Sequence, residues 1–138
     1  MLRLAAAAAL LAFATPAFAI DFQPNDQGQI EFTTPTNNIG CIYTPEGGTS
    51  TYYPTGGGPE LQCDRVEPAY VRAVLGPKGS ATIITNVGDA SCCSTVQVFP
   101  YGETWEMGPF MCASDTSGLT CARGPHGFKM SKKGVKKF

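Results

Sequence analysis

The stretch MCASDTSGLTCARGPHGFKMS, residues 111–131, decides the fold class. Cys112 and Cys121 flank eight residues centred on Thr116 and Ser117, with turn-forming Asp and Gly on either side of that centre. A chain that folds back at this centre sets the two cysteines opposite each other, about 4.5–5.5 Å apart between Cα atoms, within disulfide reach. The stretch therefore predicts a β-hairpin closed by a Cys112–Cys121 disulfide, with a further strand after it.

The rest of the chain repeats this pattern of short β-branched and aromatic runs between clusters of Gly, Pro, Asn and Asp. One weak helical segment fits Pro68–Leu75, because Pro suits a first helical position and Gly76 suits a stop. We predict an all-β fold, a small disulfide-stapled antiparallel β-sandwich or barrel with at most one short helix. The predicted strands lie near Gln29–Thr33, Ile39–Thr44, Leu61–Val66, Ala81–Val87, Thr95–Phe99, Pro109–Ala113, Leu119–Arg123 and Gly127–Ser131.

The N-terminus has the form of a secretory signal peptide. A positive charge at Arg3 precedes an apolar run over Leu4–Ala14, and the small-residue pattern Ala17-Phe18-Ala19 follows it. The run is too short to span a bilayer, and we predict no transmembrane segment. The predicted organisation is a signal peptide over residues 1–19, a single β domain over 20–130 and a basic C-terminal tail over 131–138. The mature protein is expected to be secreted or periplasmic, with cleavage near Ala19.

Six cysteines in an exported chain predict three disulfides. Cys41 and Cys63 bracket a Gly- and Pro-rich loop over residues 44–60, and joining them would restrict that loop in the unfolded state. If these cysteines and the hairpin cysteines pair as described, Cys92 and Cys93 are left with each other, and turn-forming neighbours suit such a vicinal bond. The competing interpretations of Cys92-Cys93 are a redox-active pair and a metal-binding site.

Charge divides the chain unevenly. Residues 20–122 contain three basic and eleven acidic side chains, whereas residues 123–138 contain six basic and none acidic. A tail of this kind, with Lys132, Lys133, Lys136 and Lys137, is commonly solvated surface, and it also suits contact with anionic lipid, a polyanion or an acidic protein. No motif for specific nucleic-acid binding is recognisable.

Candidate binding residues outside the tail are few. Tyr52 and Tyr53 lie in the Gly-rich loop, where they could stack on a sugar or a peptide, and His126 is the only histidine. No catalytic constellation, cofactor motif or metal site is predicted, because His126 has no orienting acid placed beside it by the sequence. The weak carboxylate candidates for a glycosidase-type pair are Asp64, Glu67, Glu106 and Asp115. The aromatic residues predicted to be core rather than ligand platform are Phe99, Tyr101, Trp105 and Phe110.

Three motifs together resemble a family of small secreted Cys-rich bacterial domains of unknown function. They are FTTPTNNIGC at residues 32–41, LQCD at 61–64 and YGETWEMGPFMCASDTSGLTCARGPHGF at 101–128. The last of these holds the family-like tryptophan, the C…GLTC hairpin and a GHGF-like motif in which Pro125 replaces the usual glycine. The resemblance covers most of the mature chain and implies no activity.

Three classes of function fit these features. The favoured one is an exported, disulfide-stapled binding or inhibitory module of unknown ligand at the cell envelope, with an envelope protein or an anionic polymer or lipid surface as partner. The alternative is a structural envelope protein that contacts anionic surfaces through its basic tail. A hydrolase is disfavoured, because no set of catalytic residues is recognisable.

Overall fold

Antiparallel hairpins build most of the molecule. The computed structural model describes residues 18–90, 92–93, 95 and 97–138, so most of the predicted signal peptide lies outside the described residues. The described residues form eleven strands in two sheets that pack face to face as a β-sandwich. The predicted all-β fold is confirmed.

The strands are β1 (Phe18–Ala19), β2 (Ile30–Thr33), β3 (Ile39–Thr44), β4 (Glu60–Arg65), β5 (Val71–Leu75), β6 (Thr82–Ile84), β7 (Glu103–Met107), β8 (Phe110–Asp115), β9 (Gly118–Arg123), β10 (His126–Ser131) and β11 (Gly134–Lys137). One sheet has the order β1-β7-β8-β9-β10-β11, and the other has the order β2-β3-β4-β5-β6. All neighbouring strands are antiparallel except β1 and β7.

The hairpin of β8 and β9 is the one that the sequence predicts. Along β8 buried and exposed residues alternate, as expected for a strand with one face in the core. Asp115 lies opposite Gly118 and Cys112 opposite Cys121, and the two cysteines are bonded with their Cα atoms 4.1 Å apart. Strands β3 and β4 repeat the arrangement with the Cys41–Cys63 disulfide, whose Cα atoms are also 4.1 Å apart. Both predicted disulfides are confirmed, and Cys41–Cys63, predicted from the loop that it closes, also joins two neighbouring strands.

An aromatic cluster fills the space between the sheets. Trp105 of β7 is 1% exposed and contacts rings from the opposite sheet, with ring centroids 5.0 Å from Phe32 and 6.3 Å from Tyr43. Phe22, which follows β1, stacks on Phe32 at 4.7 Å, and Phe99 lies 5.4 Å from Phe32. Aromatic residues from both sheets and from two connecting segments therefore form one core.

The weak helix predicted over Pro68–Leu75 is wrong. Val71–Leu75 is strand β5, with Val71, Ala73 and Leu75 buried and Arg72 and Val74 half-buried. The period of this burial is two, and β4 and β6 hydrogen-bond to its two sides, so sheet pairing decides the conformation. Helical content in the described residues is a single 3-10 turn at Thr55–Gly57.

The prediction that residues 131–138 form a separate basic tail is wrong. Ser131 ends β10 and Gly134–Lys137 forms β11, which pairs with β10 along its whole length. Val135 packs against the core, and Phe138 exchanges two backbone hydrogen bonds of 3.0 Å with Gly127. The backbone of Lys136 and Lys137 is therefore held in a strand, and Lys132 and Lys133 lie in the turn before it.

Two further predictions of secondary structure differ from the described fold. Thr95–Phe99 is not a regular strand, although Val98 forms an isolated bridge with Thr33, and Val96 lies outside the described residues. Strand β7, Glu103–Met107, is absent from the predicted strands. No helix in the described part of the chain is both long and apolar enough to cross a bilayer.

Candidate functional site

Four hairpin turns meet at one end of the sandwich, which we call the turn end. They connect β2 to β3, β4 to β5, β8 to β9 and β10 to β11. Consecutive antiparallel strands reverse direction at each turn, so alternate turns of a sheet lie at the same end. Two clefts open at the turn end, and they share Thr116, Ser131 and Lys132 in their walls. Turns from both sheets line the first cleft.

The first cleft, which we call the amide cleft, has a volume of about 460 Å³. Its polar walls include Thr36, Asn37 and Asn38 from the β2–β3 turn, together with Glu67 from the β4–β5 connection and Asp115 at the end of β8. Tyr101, on the segment before β7, contributes an aromatic ring that is 41% exposed. The cleft thus combines an aromatic surface with amide, hydroxyl and carboxylate groups.

Asn38 holds two of these turns together. Its Nδ2 donates to the Glu67 carbonyl oxygen at 3.0 Å, and its Oδ1 accepts from the Glu67 N–H at 2.8 Å. Next to it, Asn37 has a φ of 57°, in the left-handed region that Asn tolerates better than most residues. Asn38 is therefore a structural clamp, whereas Asn37 is exposed at the cleft.

The charge of Asp115 is stabilised by its own turn. Its Oδ1 accepts a hydrogen bond of 2.8 Å from the Ser117 N–H and a longer one of 3.4 Å from Thr116 Oγ1. The hydrogen bond from the Ser117 backbone is the main cause that lowers the pKa of the Asp115 carboxyl. Asp115 is consequently an ionised hydrogen-bond acceptor at neutral pH.

The second cleft, which we call the lysine cleft, has a volume of about 490 Å³ on the outer face of β10 and β11. It is lined by Lys129, Lys132, Lys133 and Lys136 together with small and hydroxyl residues, and none of the described residues in its walls is a carboxylate. Lys129 and Lys136 lie directly opposite each other in the β10–β11 register. Four cationic side chains therefore surround one concave surface, whereas residues 20–122 carry three basic and eleven acidic side chains.

Most of this positive charge is not neutralised within the described residues. Lys129 Nζ donates to Ser117 Oγ at 3.1 Å, which is a contact with a neutral hydroxyl. Lys132 Nζ is 3.9 Å from Glu67 Oε2, but both side chains are about 70% exposed, so the pair contributes little. Like charges placed directly across two strands destabilise a sheet, and local rules are commonly broken in this way at functional sites.

The structure brings together three of the four predicted tail lysines and adds one that the sequence analysis missed. Lys132, Lys133 and Lys136 line the lysine cleft, whereas Lys137, which is paired with Phe128, is exposed outside it. Lys129 was missed because it belongs to a predicted strand, and only the β10–β11 register places it beside the others. Lys129 lies between Phe128 and Met130, which are buried, and in a strand this alternation indicates that the lysine side chain points away from the core.

A third concave feature, which we call the disulfide seat, lies on the outer face of the other sheet and has a volume of about 210 Å³. Cys92 and Cys93 are bonded to each other, so the predicted vicinal disulfide is confirmed. The two sulfur atoms rest on Gly40 of β3, where an added Cβ atom would lie 2.6 and 2.7 Å from them. Gly40, part of the NNIGC motif, therefore leaves the space that the disulfide occupies.

A buried ion pair fixes the segment beside this disulfide. Asp64 Oδ1 accepts from Arg72 Nε at 2.8 Å, and Asp64 Oδ2 accepts from the Tyr70 hydroxyl at 2.6 Å. The Tyr70 oxygen in turn accepts from the Cys92 N–H at 3.1 Å, and Arg72 donates to the Asp89 carbonyl at 3.0 Å. Burial, followed by the hydrogen bond to Asp64, raises the pKa of Tyr70. The contacts of Tyr70 with Cys92 and of Arg72 with Asp89 therefore tie the loop to the sheet.

The remaining predicted binding residues lie at the opposite end of the sandwich. Tyr53 is 71% exposed, while the Tyr52 hydroxyl donates to Glu60 Oε1 at 2.7 Å. His126 begins β10 opposite Arg123, next to the β9–β10 turn. None of these three residues lines either cleft at the turn end.

The hydrogen bond between Tyr52 and Glu60 can be tested through the pH dependence of stability. Burial is the main cause that raises the pKa of Tyr52 to about 12, and the hydrogen bond to Glu60 adds to it. Because the pKa is higher in the folded state, the contribution of Tyr52 to stability is complete below pH 10 and is lost between pH 10 and 12. We expect Tyr52→Phe to lose less stability over this range than the wild type does, in thermal unfolding at several pH values. Tyr53→Phe is the control, and an equally flattened profile for both variants would contradict the assignment.

The four weak carboxylate candidates do not form one site. Asp64 is paired with Arg72 in the disulfide seat, and Glu106 lies on β7, while Glu67 and Asp115 both line the amide cleft. The lowered pKa of Asp115 is the opposite of what a general acid needs. Among the described residues, no three His, Cys, Asp or Glu side chains are arranged to hold a metal ion.

Comparison of the chain with models of protein families, with characterised proteins and with solved structures finds no match. The resemblance to a family of small secreted bacterial domains therefore stays a prediction.

Proposed function

We propose that the protein is an exported binding module that holds an anionic ligand at the lysine cleft. The observation that supports this most directly is the set of four lysines around one concave surface that has no carboxylate in its walls. Positive charge concentrated in this way attracts anions and raises their local concentration. The three disulfides suit an oxidising compartment, which agrees with the predicted export.

Rigidity distinguishes this proposal from a flexible tail that contacts surfaces loosely. Lys129 and Lys136 are placed by strand pairing, and Lys132 and Lys133 lie in the turn that connects the same strands. The Ser131 Oγ accepts a hydrogen bond of 3.2 Å from the Lys133 N–H and so orders that turn. Because the backbone is held in advance, binding has to order only the lysine side chains, which costs less conformational entropy than ordering a flexible tail as well.

We expect the double variant Lys129→Gln/Lys136→Gln to bind dextran sulfate about tenfold more weakly than the wild type at low salt, since each exposed charge contributes up to about 1 kcal/mol. The affinity of the wild type should fall as salt is added, because exposed charges are screened. Binding can be measured by isothermal titration calorimetry at two salt concentrations.

The matched control is Lys78→Gln/Lys137→Gln, which removes the same charge outside the lysine cleft. Lys78 lies in the β5–β6 connection, and Lys137 is an exposed residue of β11; neither lines the lysine cleft. An equal loss of affinity in both double variants would show that net charge alone attracts the polymer, and no binding by the wild type would overturn the proposal.

The alternative is a structural envelope protein that contacts anionic surfaces through the same lysines. Binding to anionic vesicles with no measurable binding to a soluble anionic polymer would favour that role over a ligand-binding module. A hydrolase has the least support, because the two carboxylates that share the amide cleft include one whose pKa is lowered.

A further inference from the structure

Resting on the proposed function, we propose that the anionic ligand is an acidic polysaccharide. Its sugar rings would occupy the amide cleft beside Tyr101, while its acid groups would reach the lysine cleft. The two clefts share Thr116, Ser131 and Lys132, so one extended chain can pass from one to the other without leaving the surface. Each cleft has the volume of a ligand pocket of ordinary size.

The amide cleft has the groups that a sugar ring requires. Hydroxyl groups of a sugar both donate and accept hydrogen bonds, and the walls of the cleft contain threonine hydroxyls, the Asn37 amide and two carboxylates. Asp115 is an ionised acceptor, so it favours a partner that donates, as a sugar hydroxyl does. The exposed ring of Tyr101 offers an apolar face for the C–H surface of a sugar and a hydroxyl for its edge.

The charges of the two clefts determine which part of the ligand each cleft can bind. Glu67 and Asp115 line the amide cleft beside a single lysine, Lys132, so an acid group placed there would face two carboxylates. The lysine cleft has four lysines and no carboxylate in its walls. A polymer with uniform dense charge, such as polyphosphate, has only charged groups to offer and would be repelled at the first cleft. A polysaccharide with at most one acid group on each ring can turn its hydroxyl groups toward Glu67 and Asp115 and its acid groups toward the lysine cleft.

The experiment compares polygalacturonate oligomers, uncharged dextran oligomers and polyphosphate of matched charge on the full chain by isothermal titration calorimetry. We expect polygalacturonate to bind at least tenfold more tightly than either of the others. Tyr101→Ala should weaken polygalacturonate binding about tenfold and leave polyphosphate binding within twofold. Tyr53→Ala, which removes a more exposed tyrosine at the opposite end, should change neither affinity.

The outcomes separate the two proposals. If polygalacturonate and polyphosphate bind equally and Tyr101→Ala affects neither, the polysaccharide inference is overturned while anion binding stands. If no anionic polymer binds, or if dextran binds as tightly as polygalacturonate, the proposed function itself is overturned. Tyr101→Leu serves as a second variant should Tyr101→Ala fold poorly, and thermal unfolding of each variant checks that it is folded.

Discussion

Replacing Asp64 by alanine is expected to lower the free energy of unfolding by about 3 kcal/mol, the size of effect seen when one partner of a buried ion pair is removed. Asp64 is 5% exposed and accepts hydrogen bonds from Arg72 and Tyr70. Without the carboxylate, the Arg72 guanidinium retains the Asp89 carbonyl as its contact and the Tyr70 hydroxyl loses its acceptor. We place the effect at the low end for such pairs because Arg72 still reaches water, with 19% of its side chain exposed.

Urea unfolding followed by circular dichroism measures this loss, and two further variants identify its cause. Asp89→Asn alters an exposed side chain while it keeps the carbonyl that Arg72 contacts, so it should change the unfolding midpoint little. Adding Arg72→Leu to Asp64→Ala should recover part of the stability, because the cation without a partner is then absent. A double variant no more stable than Asp64→Ala would mean that the charge of Arg72 is not the source of the loss.

Replacing Trp105 by alanine is expected to cost about 4 kcal/mol, because the large aromatic side chain is deleted from a closed core. The indole is 1% exposed and lies between rings of the opposite sheet, including Phe32 and Tyr43. Its removal leaves a cavity between the sheets. Each sheet contains a cross-strand disulfide, which restricts how far the walls of the cavity can collapse. The measurement is thermal and urea unfolding followed by circular dichroism.

Tyr53→Ala is the control for this core variant. Tyr53 is 71% exposed, so its deletion should change the free energy of unfolding by less than about 0.5 kcal/mol. If Trp105→Ala were no more destabilised than Tyr53→Ala, the indole would have to be a surface group rather than the centre of the core.

Local sequence signals are sufficient to predict a hairpin that contains both its own turn residues and its own disulfide. The β8–β9 hairpin is visible in the sequence because turn residues and two symmetric cysteines specify the same register. Trp105, Phe99 and Phe110 are buried as predicted, because large aromatic side chains are mostly buried in a folded domain. The vicinal bond followed from the pairing of the other four cysteines.

Strands that depend on distant partners were harder to predict. Strand β11 consists largely of glycine and lysine, residues that disfavour strands, and forms because β10 offers an open edge to pair with. Strand β5 follows a Pro-containing segment and shows its period-two burial only when β4 and β6 lie beside it. In both cases tertiary pairing overrides the local preference.

The candidate site depends on the same distant pairings. Lys129 and Lys136 are seven residues apart, and only the hairpin register sets them face to face. Tyr101 was predicted to be core because its aromatic neighbours are, yet it borders the amide cleft with 41% of its surface exposed. No short motif encodes a cleft built from turns of two separate sheets.

Strand pairing also determines how this surface tolerates change. Replacing one lysine of the cleft removes one charge of four, so substitutions act in graded steps. Deleting one residue from the turn between β10 and β11 would instead shift β11 by one position, exchanging the faces of Val135 and Lys136. Lys136 would then take the place of Val135 against the core. The length of this turn is thus constrained more strictly than its composition, and variation among related chains should appear there as substitution rather than insertion or deletion.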